Sequence, residues 1–144
     1  LEMISLPISG EKLLSLIPQR PPIVMVSSLE SYDDKELVST FVVREGNIFV
    51  NGAMLAESGL LEHMAQSIAL HTGYSYFLKG EDAPMGYIGS MQNVEIQDLP
   101  VIGETVFSTI TILQEFMGVT LVEIETKLED RIIARARIKT VIAK

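Results

Sequence analysis

The sequence predicts an α+β fold, in which one long and largely apolar helix is held by an antiparallel β-sheet. Three observations carry this. Residues 56–78 are the one long stretch with helical periodicity, everything after Pro84 alternates as strand, and two strand-like runs precede the helix. At 144 residues, 47% of them hydrophobic, the chain has the size and apolar content of one domain, and residues 1–144 are expected to form it.

The elements follow in order. EKLLSLI, residues 11–17, predicts a short helix that PQRPP must end, because proline disfavours helical geometry at and before itself. From Ile23, IVMVSSLESY is β-branched and apolar, and Asp33-Asp34 turns the chain into the alternating ELVSTFVV, which makes a hairpin. Glu45-Gly46-Asn47 turns again, into the apolar connection IFVNGAMLA, which needs something to cover it. The long helix is expected from about Ala56 to Leu78, with Ser58 as its N-terminal cap and Gly80 placed to end it. Leu61, Met64, Ala65 and Ile68 form a core stripe, while Leu60 and Leu70 lie outside it, so the helix is wrapped rather than laid on a surface. MGYIGSMQNVEIQ, ETVFSTITILQEF, VTLVEIETKLED and RIIARARIKTVI then read as strands, with tight reversals at Met117-Gly118 and Glu129-Asp130. One helix can cover the apolar face of such a sheet, yet one side of it stays bare. A homodimer or higher homo-oligomer that extends the sheet is the expected remedy.

Composition removes several function classes. Eleven Lys+Arg against 19 Asp+Glu give a net charge of -8, which disfavours a nucleic-acid partner. Arg131, Arg135, Arg137 and Lys139 gather near the C-terminus, either as a patch for an acidic partner or as the solvated face of one strand. The absence of cysteine excludes a disulfide framework and a thiolate nucleophile, and fits a cytoplasmic protein. The N-terminal stretch lacks the basic start and apolar run of a secretory leader, and no apolar run approaches membrane-spanning length, so no membrane span is expected. No His/Asp/Glu cluster has metal spacing, so no metal or cofactor is expected, and Gly86 and Gly89 in GYIGS are followed by no helix that would bind phosphate.

The candidate site lies inside the helix. Ser58, Glu62, Gln66, Ala69 and Gly73 fall within about 40° of one line, a face of small and polar side chains. Such a face borders a narrow cavity, or it serves close packing of helix on sheet. Glu62 on that line is either a functional carboxylate or a buried one paired with a structural arginine such as Arg20 or Arg44.

The phrases LIPQRPPIVMV, GLLEHMAQSIA, YIGSMQNVEI and LPVIGET, in that order, resemble the hotdog-fold 3-hydroxyacyl-(acyl carrier protein) dehydratases from about Ile17 to Val141. The short connection from Asn51 to Gly59 is closer to a compact subgroup associated with aryl polyene and related pigment pathways than to the fatty-acid synthesis enzymes. The resemblance implies a hotdog, a curved antiparallel sheet wrapped round a long central helix, which dimerises with active sites at the subunit boundary. It implies water loss from a 3-hydroxyacyl thioester, carried on acyl carrier protein or coenzyme A, in fatty-acid or polyene-type chain synthesis. Glu62 then matches the catalytic acid, and Gln66 the glutamine one turn on that orients groups in the site. Gln19, Asn51, Gly59, Gln66 and Gly89 are the expected substrate-binding positions, with backbone N–H groups near Gly59 polarising the thioester carbonyl and the backbone near Gly89 lining the acyl channel.

Dehydration needs a base for the C2 proton and an acid for the departing C3 hydroxyl. An apolar surround favours the protonated carboxyl, which suits Glu62 as the acid. The family's base is a histidine in a Gly-His-Phe-Pro loop, where this chain reads NGAMLAES, and the histidine of the family's Leu-Pro-His phrase is here Gln19. An amide takes no proton at these pH values. The two histidines present, His63 and His71, point away from the face of Glu62 and are expected to be structural or interfacial. Three readings stay open: a dehydratase-like enzyme, a hotdog thioesterase in which Glu62 activates water, and a catalytically inactive acyl-binding subunit.

Overall fold

The computed structural model describes residues 5–143, so the first four residues of the stretch read for a leader lie outside the described residues. β1 (Ile8–Ser9) and α1 (Gly10–Leu14) open the chain, followed by the hairpin of β2 (Ser28–Tyr32) and β3 (Glu36–Val42). A short second hairpin, β4 (Val50–Asn51) and β5 (Met54–Leu55), leads into the long helix α2 (Glu57–Lys79). Four long strands complete the chain: β6 (Gly86–Ile96), β7 (Thr105–Phe116), β8 (Val119–Leu128) and β9 (Arg131–Ile142). Seven strands form one antiparallel sheet in the order β1-β2-β3-β7-β8-β9-β6, with α2 against β3, β6 and β7. This is the hotdog arrangement.

Alternation decides which side chains meet the helix. Val122, Ile124 and Leu128 of β8 and Ala134, Ala136 and Ile138 of β9 are buried under α2 with Leu60, Met64 and Leu70, each large side chain contributing roughly 1.5–3 kcal/mol. On the outer face Glu123 and Glu125 sit across the ladder from Arg137 and Arg135, with N–O distances of 3.5 and 3.4 Å, and Arg131 pairs with Asp98 at 2.7 Å. The basic C-terminal stretch is thus the solvated face of β9 with its arginines in exposed pairs. The reversals at Met117-Gly118 and Glu129 use left-handed backbone, with φ of 52°, 80° and 57°.

Two expectations are corrected. The strand read from Ile23 begins only at Ser28. The Met25 N–H and the Ile23 and Met25 carbonyls bond to side chains of α2 instead of to a neighbouring strand, so residues 23–25 lie on the helix without joining the sheet. Ser58 does not cap α2: Ala56 occupies the cap position with extended backbone and no side-chain bond, and Ser58 lies within the first turn. Gly80 ends the helix as expected, at φ 70° with its N–H on the Phe77 carbonyl.

The strand β6 lies at one end of the sheet and pairs only with β9. Its other edge is unpaired among the described residues, and Tyr87, Ile88 and Val94 are exposed along it. An edge of eleven residues with apolar side chains invites a further strand.

Candidate active site

The site begins with a glutamine that has no freedom. Gln66 is fully buried on α2, and its Oε1 accepts the Met25 N–H at 2.6 Å. Its Nε2 donates to the Ile23 carbonyl at 2.8 Å and to Glu62 Oε2 at 2.8 Å. The backbone partners fix which end of the amide is which, because an N–H only donates and a carbonyl only accepts. Gln66 therefore always offers Glu62 a donor. Glu62, one turn earlier and half-buried, receives it.

Glu62 faces a cavity of about 470 Å³. One wall is Ser15–Gln19, another is the α2 face of Glu62, Ala65, Ile68, Ala69 and Thr72, and the rest comes from Asp82–Ile88, Thr120, Thr140 and Ile142. The first wall sits close because of Gly73: a β-carbon there would lie 1.8 Å from the Leu16 carbonyl oxygen. The small and polar line on α2 thus borders a cavity, as one of the two expectations had it, and its close packing at Gly73 is on the backbone after α1 instead of on the sheet. Glu62 and Ala69 border the cavity, while Gly73 admits the backbone that walls it.

Of the substrate-binding positions expected from sequence, Gln19 lies in the same cavity wall, and its buried Oε1 has no hydrogen-bond partner. Gln66 reaches a ligand only through Glu62. Asn51, Gly59 and Gly89 do not line the cavity within this chain. Asn51 is exposed in the β4–β5 hairpin, beyond which the Leu55 and Ala56 N–H groups bond the Pro100 and Phe49 carbonyls. Gly59 is a packing residue: a β-carbon would fall 2.5 Å from Phe49 Cβ, and its N–H is taken by the Ala56 carbonyl at 3.0 Å. Gly89 stands at a β-bulge between Ile88 and Ser90, and its neighbours Gly86, Tyr87 and Ile88 line the cavity in its place.

Arg20 does not pair with Glu62, since its Nη1 is held by the Leu14, Ile17 and Gln19 carbonyls at 3.0, 2.8 and 2.7 Å. Arg44 is in none of the ion pairs found among the described residues. Neither histidine lines the cavity. His63 is fully buried, its Nδ1 2.7 Å from the Met25 carbonyl and its Nε2 2.8 Å from Ser108 Oγ, and burial pushes its pKa down to about 4. His71 bonds the Asp33 carbonyl at 3.0 Å and packs on Tyr32, with its pKa also lowered by burial.

A family model for the ApeP dehydratase, ApeP-like, matches residues 11–144. The chain belongs to the ApeP-like dehydratase family. Among solved structures, this ApeP-like chain is similar to the dehydratase heterocomplex ApeI:P from Xenorhabdus doucetiae, with TM-score 0.87 and 18% identity over 98% of this chain and 93% of that one. It is also similar to a hypothetical thioesterase protein from Streptococcus pneumoniae solved with coenzyme A, with TM-score 0.62 and 10% identity over 80% and 84%. The PaaI protein of the E. coli phenylacetic acid degradation operon gives TM-score 0.61 and 16% identity over 78% and 80%. At these identities the structural likenesses establish the hotdog fold. No curated protein matches the chain in sequence.

The ApeP-like cavity also holds residues that sequence reasoning passed over. Thr120 of β8 and Thr140 of β9 oppose each other in the ladder and line it. Their signal was present in the alternation, where both occupy inward positions otherwise filled by Val122, Ile124, Ala136 and Ile138. Ser108 and Thr126 break the same inward rule: Ser108 bonds His63, and Thr126 bonds Ser108.

Proposed function

We propose that this chain is the acid-bearing subunit of a 3-hydroxyacyl thioester dehydratase, and that a second hotdog subunit supplies the base. The observation that carries the reading is Glu62 at the cavity wall, held by a donor whose orientation is fixed. With Oε2 accepting the Gln66 N–H, the acid proton of Glu62 belongs on Oε1, free to pass to the C3 hydroxyl as the C3–O bond breaks. The departing water is held by Gln19, whose buried oxygen lacks a partner.

The base cannot be either histidine of this chain, since both are bonded in the core away from the cavity. A second copy brings the same two. A homodimer would extend the sheet equally well, but it adds no imidazole. The similar ApeI:P structure is a heterocomplex, which supports a non-identical partner, and the unpaired edge of β6 is the place for it to pair. The substrate is an acyl thioester on acyl carrier protein or coenzyme A, as in fatty-acid or polyene-type chain synthesis.

Product identity tests the reading. Mass spectrometry of a 3-hydroxyacyl carrier-protein substrate, incubated with this chain and its hotdog partner, should show the loss of one water. Release of free thiol would instead assign a thioesterase in which Glu62 activates water, and tight binding without turnover would assign an acyl-binding subunit.

A further inference from the structure

His63 is a costly residue to bury. A neutral imidazole enclosed in a protein core must find a partner for each nitrogen, and the sheet provides one through an ordered set of bonds. The Met25 carbonyl can only accept, so the proton of the neutral ring is on Nδ1. Nε2 is then an acceptor and Ser108 must donate its hydroxyl hydrogen to it. Ser108 in turn accepts from Thr126, 2.7 Å away. One direction of donation runs from β8 through β7 to the helix and out to Met25.

The same short segment is where Gln66 is fixed. His63 holds the Met25 carbonyl, and Gln66 holds the Met25 N–H and the Ile23 carbonyl. Residues 23–25 have no strand partner of their own: the Met25 side chain is anchored in the core, where Asn47 also bonds it at 3.4 Å, and the backbone is held to α2 by these side chains. If that segment slips, Gln66 is free to turn over. It would then present Oε1 to Glu62 and accept a hydrogen bond from the acid proton, now on Glu62 Oε2, which withdraws that proton from the cavity.

We propose that His63 is a positioning residue for Glu62, because its Nδ1–H clamps the Met25 carbonyl and so keeps the Gln66 amide turned with its N–H toward the Glu62 carboxyl. The inference rests on the dehydratase reading for its catalytic consequence, but the clamp itself is observable without turnover.

Two substitutions of similar polarity separate this role from packing. The amide nitrogen of asparagine takes the place of His63 Nδ1, whereas that of glutamine takes the place of Nε2. His63→Asn therefore keeps the donor to Met25, and His63→Gln loses it while filling more of the space. In nitrogen-15 spectra of the labelled chain, the Gln66 side-chain N–H that bonds Glu62 should move on Glu62→Gln in wild type and in His63→Asn. It should not respond in His63→Gln. In the assembled complex, His63→Gln should lower kcat roughly tenfold to a hundredfold with KM little changed, and His63→Asn should restore most of it. A Gln66 signal in His63→Gln that still responds to Glu62 overturns the proposal. So does a His63→Asn that is the more damaged of the two. Should wild type show no dehydration at all, the dehydratase reading fails and the Gln66 spectra still decide the clamp.

Discussion

The carbonyl oxygen of Leu16 lies where a β-carbon on Gly73 would come within 1.8 Å of it. No side chain can bend away from that contact, because the neighbour is backbone. Through it the segment from Leu16 to Gln19 lies directly on α2 and walls the cavity that Glu62 faces. Gly73→Ala would gain about 1 kcal/mol of helix propensity, against an overpacking cost of about 1–3 kcal/mol or more. The clash wins. Urea titration should find the variant less stable by about 1–2 kcal/mol, and its acyl-thioester turnover should fall more than its stability, since Gln19 moves with the displaced wall. A Gly73→Ala chain as stable and active as wild type would show that the two backbones do not touch.

Acid should weaken the fold through the buried histidines. In the unfolded chain His63 titrates near its ordinary 6.5, whereas in the fold burial lowers it to about 4. Between those values the unfolded state binds the proton and the folded state does not, so stability is fully present above about pH 6.5 and is lost as pH falls toward 4. For His63 alone the loss at pH 5 relative to pH 7 is about 2 kcal/mol. His71, lowered in the same direction, adds to it. Urea unfolding at pH 7 and pH 5 should therefore show a smaller pH difference for His63→Asn than for wild type, and equal differences would contradict the buried neutral imidazole.

Assembly should depend on β6. Val94 is 39% exposed on this strand, away from the cavity lining, so Val94→Lys puts a charge on the unpaired edge without touching the core. Size-exclusion chromatography with a hotdog partner should show the complex lost, while the stability of the isolated chain changes by less than about 0.5 kcal/mol. A complex that survives unchanged would place the partner elsewhere.

Most of the architecture was legible because its signals are local. The alternation of β8 and β9, the reversals at Met117-Gly118 and Glu129, and Gly80 at the end of α2 each follow from a few neighbouring residues. The misreading of the segment before β2 involves contacts far apart in sequence. Residues 23–27 carry good strand composition, yet the bonds of Met25 go to residues 38 and 41 positions away. Asn51 looked available because the loop before α2 is short, and nothing local shows that this loop closes on itself as a hairpin. Gly59 and Gly89 carried a role transferred by position. In the fold, the first is needed for close packing and the second sits at a bulge. Glu62 stood out by its chemistry, a carboxylate on an apolar helix. The reason that His63 is a histidine became visible only once Ser108 and Met25 stood on either side of it.

The most direct measurement is the rate of water loss from a 3-hydroxyacyl carrier-protein substrate by the assembled complex, with wild-type chain and with Glu62→Gln. The substitution keeps the shape and the bond partner for Gln66 but has no proton to give. With Glu62 as the acid, Glu62→Gln should slow dehydration by about a hundredfold or more while substrate binding is retained. Dehydration at the wild-type rate by the Glu62→Gln complex would contradict that role.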